Sequence, residues 1–208
     1  TAIGAFALAE AEMPEAQPAL QRAAEWLVSK EIRRRGDWSV KRPNVEPSGW
    51  CFEFANEFYP DIDDTAMVLL ALNRARSGNE VKQQACEKRA LDWLLAMQGK
   101  DGGWAAFDVD NNWQFLSKVP FADHNAMLDP SCPDISGRVL EALCRYGVAP
   151  EHPAIVRGIK YLFDVQEADG SWYGRWGVVE LYVSFLSLRG LQAAAVSDRE
   201  PGIQRALE

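Results

Sequence analysis

Residues 90–104 read A-L-D-W-L-L-A-M-Q-G-K-D-G-G-W and residues 158–172 read G-I-K-Y-L-F-D-V-Q-E-A-D-G-S-W, an offset of 158 − 90 = 68. Aromatic, Leu, Gln, Asp, Gly and Trp all fall in register. A worn third copy, A-E-W-L-V-S-K-E-I-R-R-R-G-D-W over residues 24–38, has one extra residue before its Trp38. Self-similarity of this kind means stacked units, each of which buries its apolar face against its neighbours. Every copy predicts an amphipathic helix ending near Gln98 or Gln166, then an Asp-Gly turn, then a Trp that packs back over the helix end. Gly supplies the left-handed conformation that stops the helix, and the Gln amide bonds backbone groups left open there. A second, more uniformly apolar helix follows in each unit, over 1–9, 64–75, 135–146 and 184–195. One amphipathic and one apolar helix per pair suits two concentric layers with the apolar helices inside. The fold class expected is therefore all-α, an α/α barrel or toroid of helical hairpins. Its long connections, 38–60, 104–133 and 172–183, cross one mouth and hold most of the Gly, Pro and aromatic residues, where ligand sites lie.

Composition narrows the function. The chain is 48% hydrophobic and 25% charged, as folded proteins are. Its eight Trp and nine Phe imply that something large and apolar is enclosed or bound. A net charge of −8 without a basic stripe argues against a nucleic-acid partner, and Arg33-Arg34-Arg35, flanked by Glu31 and Asp37, reads as a solvated helix end. Cys51, Cys86, Cys132 and Cys144 lack C-x-x-C spacing, so they are expected as reduced, metal-free thiols. With His124 and His152 the only histidines, a zinc site or a Ser-His-Asp triad has little material. No apolar run reaches the length of a membrane span and no signal peptide opens the chain. The chain starts in helical rhythm without an initiator Met and stops a turn or two into another helix. It thus reads as a segment truncated at both ends.

The acids at P-D-I-D-D-T-A, residues 60–66, are the chemical anomaly, because three carboxylates meet the start of an apolar helix. A calcium loop fails: counted from Asp61, positions six and twelve are Ala66 and Leu72 where an EF-hand needs Gly and Glu. D-V-D-N-N at 108–112 fails in the same way. A helix N-cap at Asp63 or Asp64 is the serious structural alternative. Capping accounts for one Asp of three. Crowded carboxylates cannot all ionise, so one keeps its proton with a raised pKa. A protonated Asp facing an aromatic cavity is a Brønsted acid aimed at hydrocarbon. Protonating an alkene needs dry surroundings, a stabilised conjugate base and aromatic faces for the cation, each worth roughly 0.5–2 kcal/mol.

Tandem Q-x-x-D-G-x-W repeats together with D-x-D-D-T-A resemble the triterpene cyclases, most closely the bacterial squalene–hopene cyclases. The resemblance runs the length of the chain, through G-D-W-S-V-K-R-P-N, G-W-C-F-E-F, D-G-G-W-A-A-F-D-V-D-N, P-F-A-D-H and D-G-S-W-Y-G-R-W-G-V. It implies that residues 1–208 are part of one α/α-barrel catalytic domain. That domain would protonate squalene and drive its polycyclisation to hopene or hopanol, an isomerase (intramolecular transferase) reaction without metal or other cofactor. Carried over by position, Asp63 matches the proton donor, with Asp61 and Asp64 as tuning neighbours. Arg138 falls where some members hold a His bonded to the acid, Asp134 matches the carboxylate partner of that group, and Tyr182 matches a Tyr of the acid network. Phe52 and Trp176 match cavity aromatics, and Phe107 stands where other members often have Tyr. Trp104 and Trp172 are expected to be structural. The resemblance further implies squalene or a similar linear isoprenoid as partner, and a peripheral, monotopic position on the cytoplasmic side of the membrane through regions outside this segment. It leaves a homodimer open.

The chain departs from the family pattern after G-R-W-G-V, where V-E-L-Y-V-S (179–184) replaces the usual N-Y-x-Y-G-T. Glu180 adds a carboxylate that needs a partner or water. Two other readings stay open on the sequence: a D-x-D-D cyclase for another isoprenoid, and a non-catalytic toroid that binds an apolar ligand.

Overall fold

Prolines mark where helices begin in this chain, as expected for a residue without an N–H to leave unpaired. The structure, a computed structural model, describes residues 1–52, 56–112, 128–176 and 180–207. Its helices are α1 (Ala2–Glu10), α2 (Gln17–Ser29), α3 (Trp38–Lys41), α4 (Ile62–Arg74), α5 (Glu80–Ala96), α6 (Pro133–Arg145), α7 (Pro153–Asp164), α8 (Glu180–Ala193) and α9 (Pro201–Leu207). Pro18, Pro133 and Pro153 sit in the first turn of α2, α6 and α7. There is no strand among the described residues, where extended pairing is limited to isolated bridges of Trp50 with Asp61 and Asn111 with Asp129.

The helices form two layers. α1, α4, α6 and α8 pack side by side in chain order as an inner wall, while α2, α5 and α7 each lie against an inner neighbour. This is the α/α-barrel arrangement expected from the repeat. α6 and α8 approach closest, because Gly137 and Gly190 face each other's backbones: a Cβ on Gly190 would lie 2.4 Å from the Gly137 carbonyl oxygen. The expectation of uniformly apolar inner helices needs correction. α6 buries Asp134 and Glu141 beside Ile135, Val139, Leu140 and Leu143, and Glu141 is held bidentately by Arg189 of α8. α1 is apolar but buries only Ala5, and Ile3 is exposed, as are Leu181 and Phe185 of α8.

Each repeat is fastened by the same bonds. The indole N–H of Trp104 donates to the Leu94 carbonyl (2.8 Å) and that of Trp172 to the Leu162 carbonyl (2.7 Å). Their backbone N–H groups donate to Ser136 Oγ (2.9 Å) and Ser184 Oγ (3.1 Å) on the following inner helix. In the worn copy these bonds belong to Trp50, not Trp38: Trp50 donates to the Leu27 carbonyl (2.8 Å) and to Thr65 Oγ1 (3.0 Å). Trp38 instead packs edge-on against Trp93, with ring centroids 5.8 Å apart. The glutamines reach further than their own helix ends. Gln98 donates to Gly102 and to Ala154 at the start of α7, and Gln166 donates to Gly170 and to Gly202 at the start of α9, all at 2.8 Å. Left-handed backbone occurs at Gly102 (φ 93°) and Gly170 (φ 90°) in the Asp-Gly turns. The helix C-caps, Met97 and Val165, have negative φ.

The four cysteines are free thiols. Arg33 pairs with Glu46 and Arg34 with Glu57, so much of the arginine run is locally neutralised. Among the described residues no helix is long and apolar enough to cross a membrane.

Candidate active site

The repeat bonds that fix each Trp also fix where the next inner helix starts. Thr65, Ser136 and Ser184 accept from the three tryptophans, and two residues before each of them stand Asp63, Asp134 and Tyr182. These three side chains therefore occupy the same register on adjacent inner helices, at the ends where the long connections cross. Arg138 lies one turn below Asp134 on α6. Its Nη1 donates to Asp63 Oδ2 at 2.6 Å and its Nη2 donates to the Tyr182 hydroxyl. The Arg138 side chain is 11% exposed and that of Asp63 is 35% exposed. This is no surface charge. A fixed guanidinium stabilises the carboxylate it touches.

The cap of α4 is Asp61, rather than Asp63 or Asp64. Its backbone is extended (φ −97°, ψ 132°) and Oδ1 accepts from Asp64 N–H at 3.0 Å. The Asp61 N–H donates to the Trp50 carbonyl (2.7 Å) and the Ile62 N–H to the Ala106 carbonyl (2.8 Å). Asp63 and Asp64 stand in the first turn, where negative charge is favoured. Two buried carboxylate atoms, Asp63 Oδ1 and Asp64 Oδ2, accept no hydrogen bond among the described residues.

All three acids hold their protons more tightly than free aspartate. Burial pushes Asp61 up to about 7, against the Asp64 N–H that lowers it, and the charges of Asp64 and Asp63 add to the rise. Burial likewise pushes Asp63 up to about 6, opposed by Arg138 and helped by Asp134 and Asp64. Asp64 is raised by burial too. Mutual repulsion, the cause expected from the sequence, is thus secondary to desolvation. Burial raises the capping Asp61 further than Asp63, the acid paired to Arg138.

These groups open onto a cavity of about 430 Å³ whose lining includes Asp61, Asp63, Asp64, Asp134, Arg138 and Tyr182. The structure brings Phe52, Phe107 and Trp176 to the same cavity, with Ile3, Met67 and Leu186 as apolar wall. Sequence reasoning missed those last three, which carry no signal beyond being apolar. The aromatics rim an open mouth: Phe52 is 83% exposed and Trp176 50%. Glu180 is exposed and lies outside the lining, so water satisfies it. Asp134 is buried and accepts from Ile135 N–H at 3.0 Å. His124 and Val179 lie outside the described residues. Among the described residues no three His, Cys, Asp or Glu side chains are placed to hold a metal ion.

Comparison with known proteins gives a match over residues 1–208 to the family model described as the squalene-hopene cyclase C-terminal domain. The chain is 38% identical over 210 residues to a squalene–hopene cyclase of Zymomonas mobilis, covering 100% of this chain and 32% of that protein. It is 40% identical over 211 residues to one of Bradyrhizobium diazoefficiens, with 100% and 32% covered. The chain thus spans about a third of the length of these curated relatives. Among solved structures, the apo type II terpene cyclase MstE from Scytonema superposes with a TM-score of 0.66 at 19% identity, over 99% of this chain and 52% of that one. That likeness speaks for the fold.

Proposed function

Because the chain belongs to the squalene–hopene cyclase family, we propose that it is the acid-bearing part of a class II terpene cyclase acting on squalene or a similar linear isoprenoid. The observation that carries this reading is one carboxyl group. Asp63 stands on the wall of an aromatic-rimmed cavity, with one oxygen held by Arg138 at 2.6 Å and a pKa pushed up to about 6 by burial. Its O–H bond breaks as a C–H bond forms at the terminal double bond, which leaves a tertiary cation. The π electrons of each following double bond then close a ring and pass the charge along. The final cation loses a proton to give hopene, or takes up water and then loses a proton to give hopanol, so the proton supplied at the start is returned. No atom is gained in forming hopene, so the reaction is an isomerisation by intramolecular transfer. Neither a metal nor another cofactor is required by it.

Each residue contributes one part of this chemistry. Arg138 stabilises the carboxylate left behind and so strengthens the acid. Tyr182 holds Arg138 in place, and the charge of Asp134 helps Asp63 keep its proton. Asp61 fixes the helix start, and Asp64 keeps the surroundings acidic. Phe52, Phe107 and Trp176 offer π faces to the cation. A hydrocarbon filling the cavity displaces water, which raises the pKa of Asp63 further toward the protonated form it must have. Half-exposed aromatics cannot keep water out, so this segment by itself should not turn over. A substrate of this kind dissolves in lipid, which supports a peripheral position on the membrane for the complete protein; the cytoplasmic face, and a monomer or a homodimer, belong to the same proposal.

The test is Asp63→Asn in the complete protein. The amide keeps the size of the side chain but has no acidic proton. Removing a positioned general acid costs about 10²–10⁴-fold, and the upper end is expected for an alkene. Near-normal squalene turnover by Asp63→Asn, together with loss in Asp61→Asn, would move the proton to the capping residue.

A further inference from the structure

Phe107 sits on a connection, and an aromatic face on a connection is only as well placed as the backbone beneath it. That backbone is gripped by a single buried carboxylate, Asp129. Asp129 Oδ2 accepts from the N–H groups of Phe107 (2.7 Å) and Asp108 (2.8 Å), and Oδ1 accepts from Ala106 N–H (3.1 Å). The Asp129 N–H donates to the Asn111 carbonyl at 2.9 Å, which ties the other end of the same loop. Three converging N–H donors on one carboxylate are charge-assisted bonds, shorter and stronger than neutral ones.

The grip extends to the acid. The Ala106 carbonyl accepts from Ile62 N–H, the peptide between Asp61 and Asp63. Asp129 is thus two links from the proposed proton donor and one from the backbone of Phe107, which lines the same cavity. Arg175 joins the same junction: it donates to the Leu128 carbonyl at 2.8 Å, its charge acts on Asp129, and it lies 5.6 Å from the centre of the Trp176 ring. From this connectivity we infer that Asp129 is a positioning residue, which sets the distance and tilt of the Phe107 ring relative to the Asp63 carboxyl. The inference rests on the proposed reading of Phe107 as a wall for the cation.

The experiment uses the complete protein and squalene, with Asp129→Asn, Phe107→Ala and the double variant. The readouts are kcat, KM, melting temperature and the share of prematurely terminated ring products by gas chromatography and mass spectrometry. Asn keeps one acceptor but turns an NH₂ toward one of the three N–H groups, so the loop shifts. Displacement of a reacting geometry by 1 Å can cost roughly 10²-fold. Asp129→Asn should therefore lower kcat by about 10–10²-fold with KM within about twofold, and raise early-terminated products. In the Phe107→Ala background it should cost less than about twofold more, since residues acting through one contact are not additive. If the two effects multiply, or the melting temperature falls while the product ratio stays put, Asp129 is merely structural and the inference is overturned. If Phe107→Ala alone leaves rate and products unchanged, the reading of Phe107 fails first and takes the inference with it. Asp129→Glu, which keeps the charge and moves it by one methylene, covers a failure of the Asn variant to fold. A folded Glu variant should show the same product shift, and failure of both to fold would assign Asp129 to the fold alone.

Discussion

Asp61→Asn should make the protein more stable at neutral pH, although it removes a residue from the acid motif. Asp61 is 8% exposed and burial pushes its pKa from 3.8 to about 7. An acid whose folded pKa is raised binds its proton in the native state where the unfolded chain has released it. Stability then falls as pH rises from about 4 through about 7, and the loss is complete above that window. One pKa unit corresponds to 1.36 kcal/mol, so a shift from 3.8 to about 7 is worth on the order of 4 kcal/mol above pH 7. Asn caps helices about as well as Asp, and its amide oxygen can keep the bond from Asp64 N–H. The substitution therefore removes the charge penalty and keeps the cap. At roughly 2–4 °C per kcal/mol for a domain of this size, thermal unfolding at pH 8 should occur several degrees higher than in the unsubstituted protein. The gap should close toward pH 4, where both side chains are neutral. Melting curves across pH 4 to 8 decide the matter. A gap that stays constant with pH, or a loss of stability at pH 8, would refute the claim that an ionised Asp61 is a burden to the fold.

Two further outcomes follow from the same bonds. Arg138→Gln should lower kcat by about 10–10²-fold, less than loss of the acid itself, because it weakens a general acid without removing it. Arg138 holds the Asp63 pKa down, so its loss should move the falling alkaline limb of the pH–rate profile to higher pH; an unmoved limb would contradict the pairing. Trp50→Phe should cost about 0.5–1.5 kcal/mol by removing the indole bond to the Leu27 carbonyl, which keeps the Lys30 N–H, as Trp104→Phe should at the Leu94 carbonyl, which keeps the Met97 N–H. Trp38→Phe should cost less, since the buried Trp38 Nε1 has no partner among the described residues. Equal melting-temperature losses for Trp38 and Trp50 would undo the assignment of Trp50 to the repeat.

The layered fold was legible because helix period and repeat register are local properties. Gln98, Gln166, Trp104 and Trp172 lie where their spacing puts them. The third tryptophan was misread because the connection 38–60 separates Leu27 from Trp50, and only the bond across it shows the equivalence. The acid cluster was legible as an anomaly, but the cause of its tight protons was not. Sequence lists neighbouring charges, whereas desolvation depends on what α1, α6 and the loop after Trp104 place around them. The cap followed the same rule: backbone dihedrals at Asp61 decide it, and Asp63 and Asp64 are equally good letters. Asp129, in L-D-P-S-C-P-D, reads as a turn residue, and nothing local announces that three N–H groups from residues 106–108 converge on it.

The geometry also sets a conflict between acid and cation. α4, α6 and α8 bring Asp63, Asp134 and Tyr182 to the cavity at their N-terminal ends, and a helix N-terminus carries about half a positive charge. On the proposed reading, three such ends together with Arg138 favour the carboxylate that would remain once Asp63 gives up its proton. The helix ends and Arg138, taken apart from the carboxylates, oppose a carbocation nearby. On the proposed reaction, the first cation forms beside the carboxylate left at Asp63, and the charge then moves away from the helix ends along the substrate chain. The groups suited to receive it must come from outside the helix ends, and Phe52, Phe107 and Trp176 do, since all three belong to the connections. The inner helices are thus suited to the proton and the connections to the charge that follows it. On that division of labour, substitutions in the connections should alter where cyclisation stops, while substitutions in the first turns of α4 and α6 should alter whether it starts.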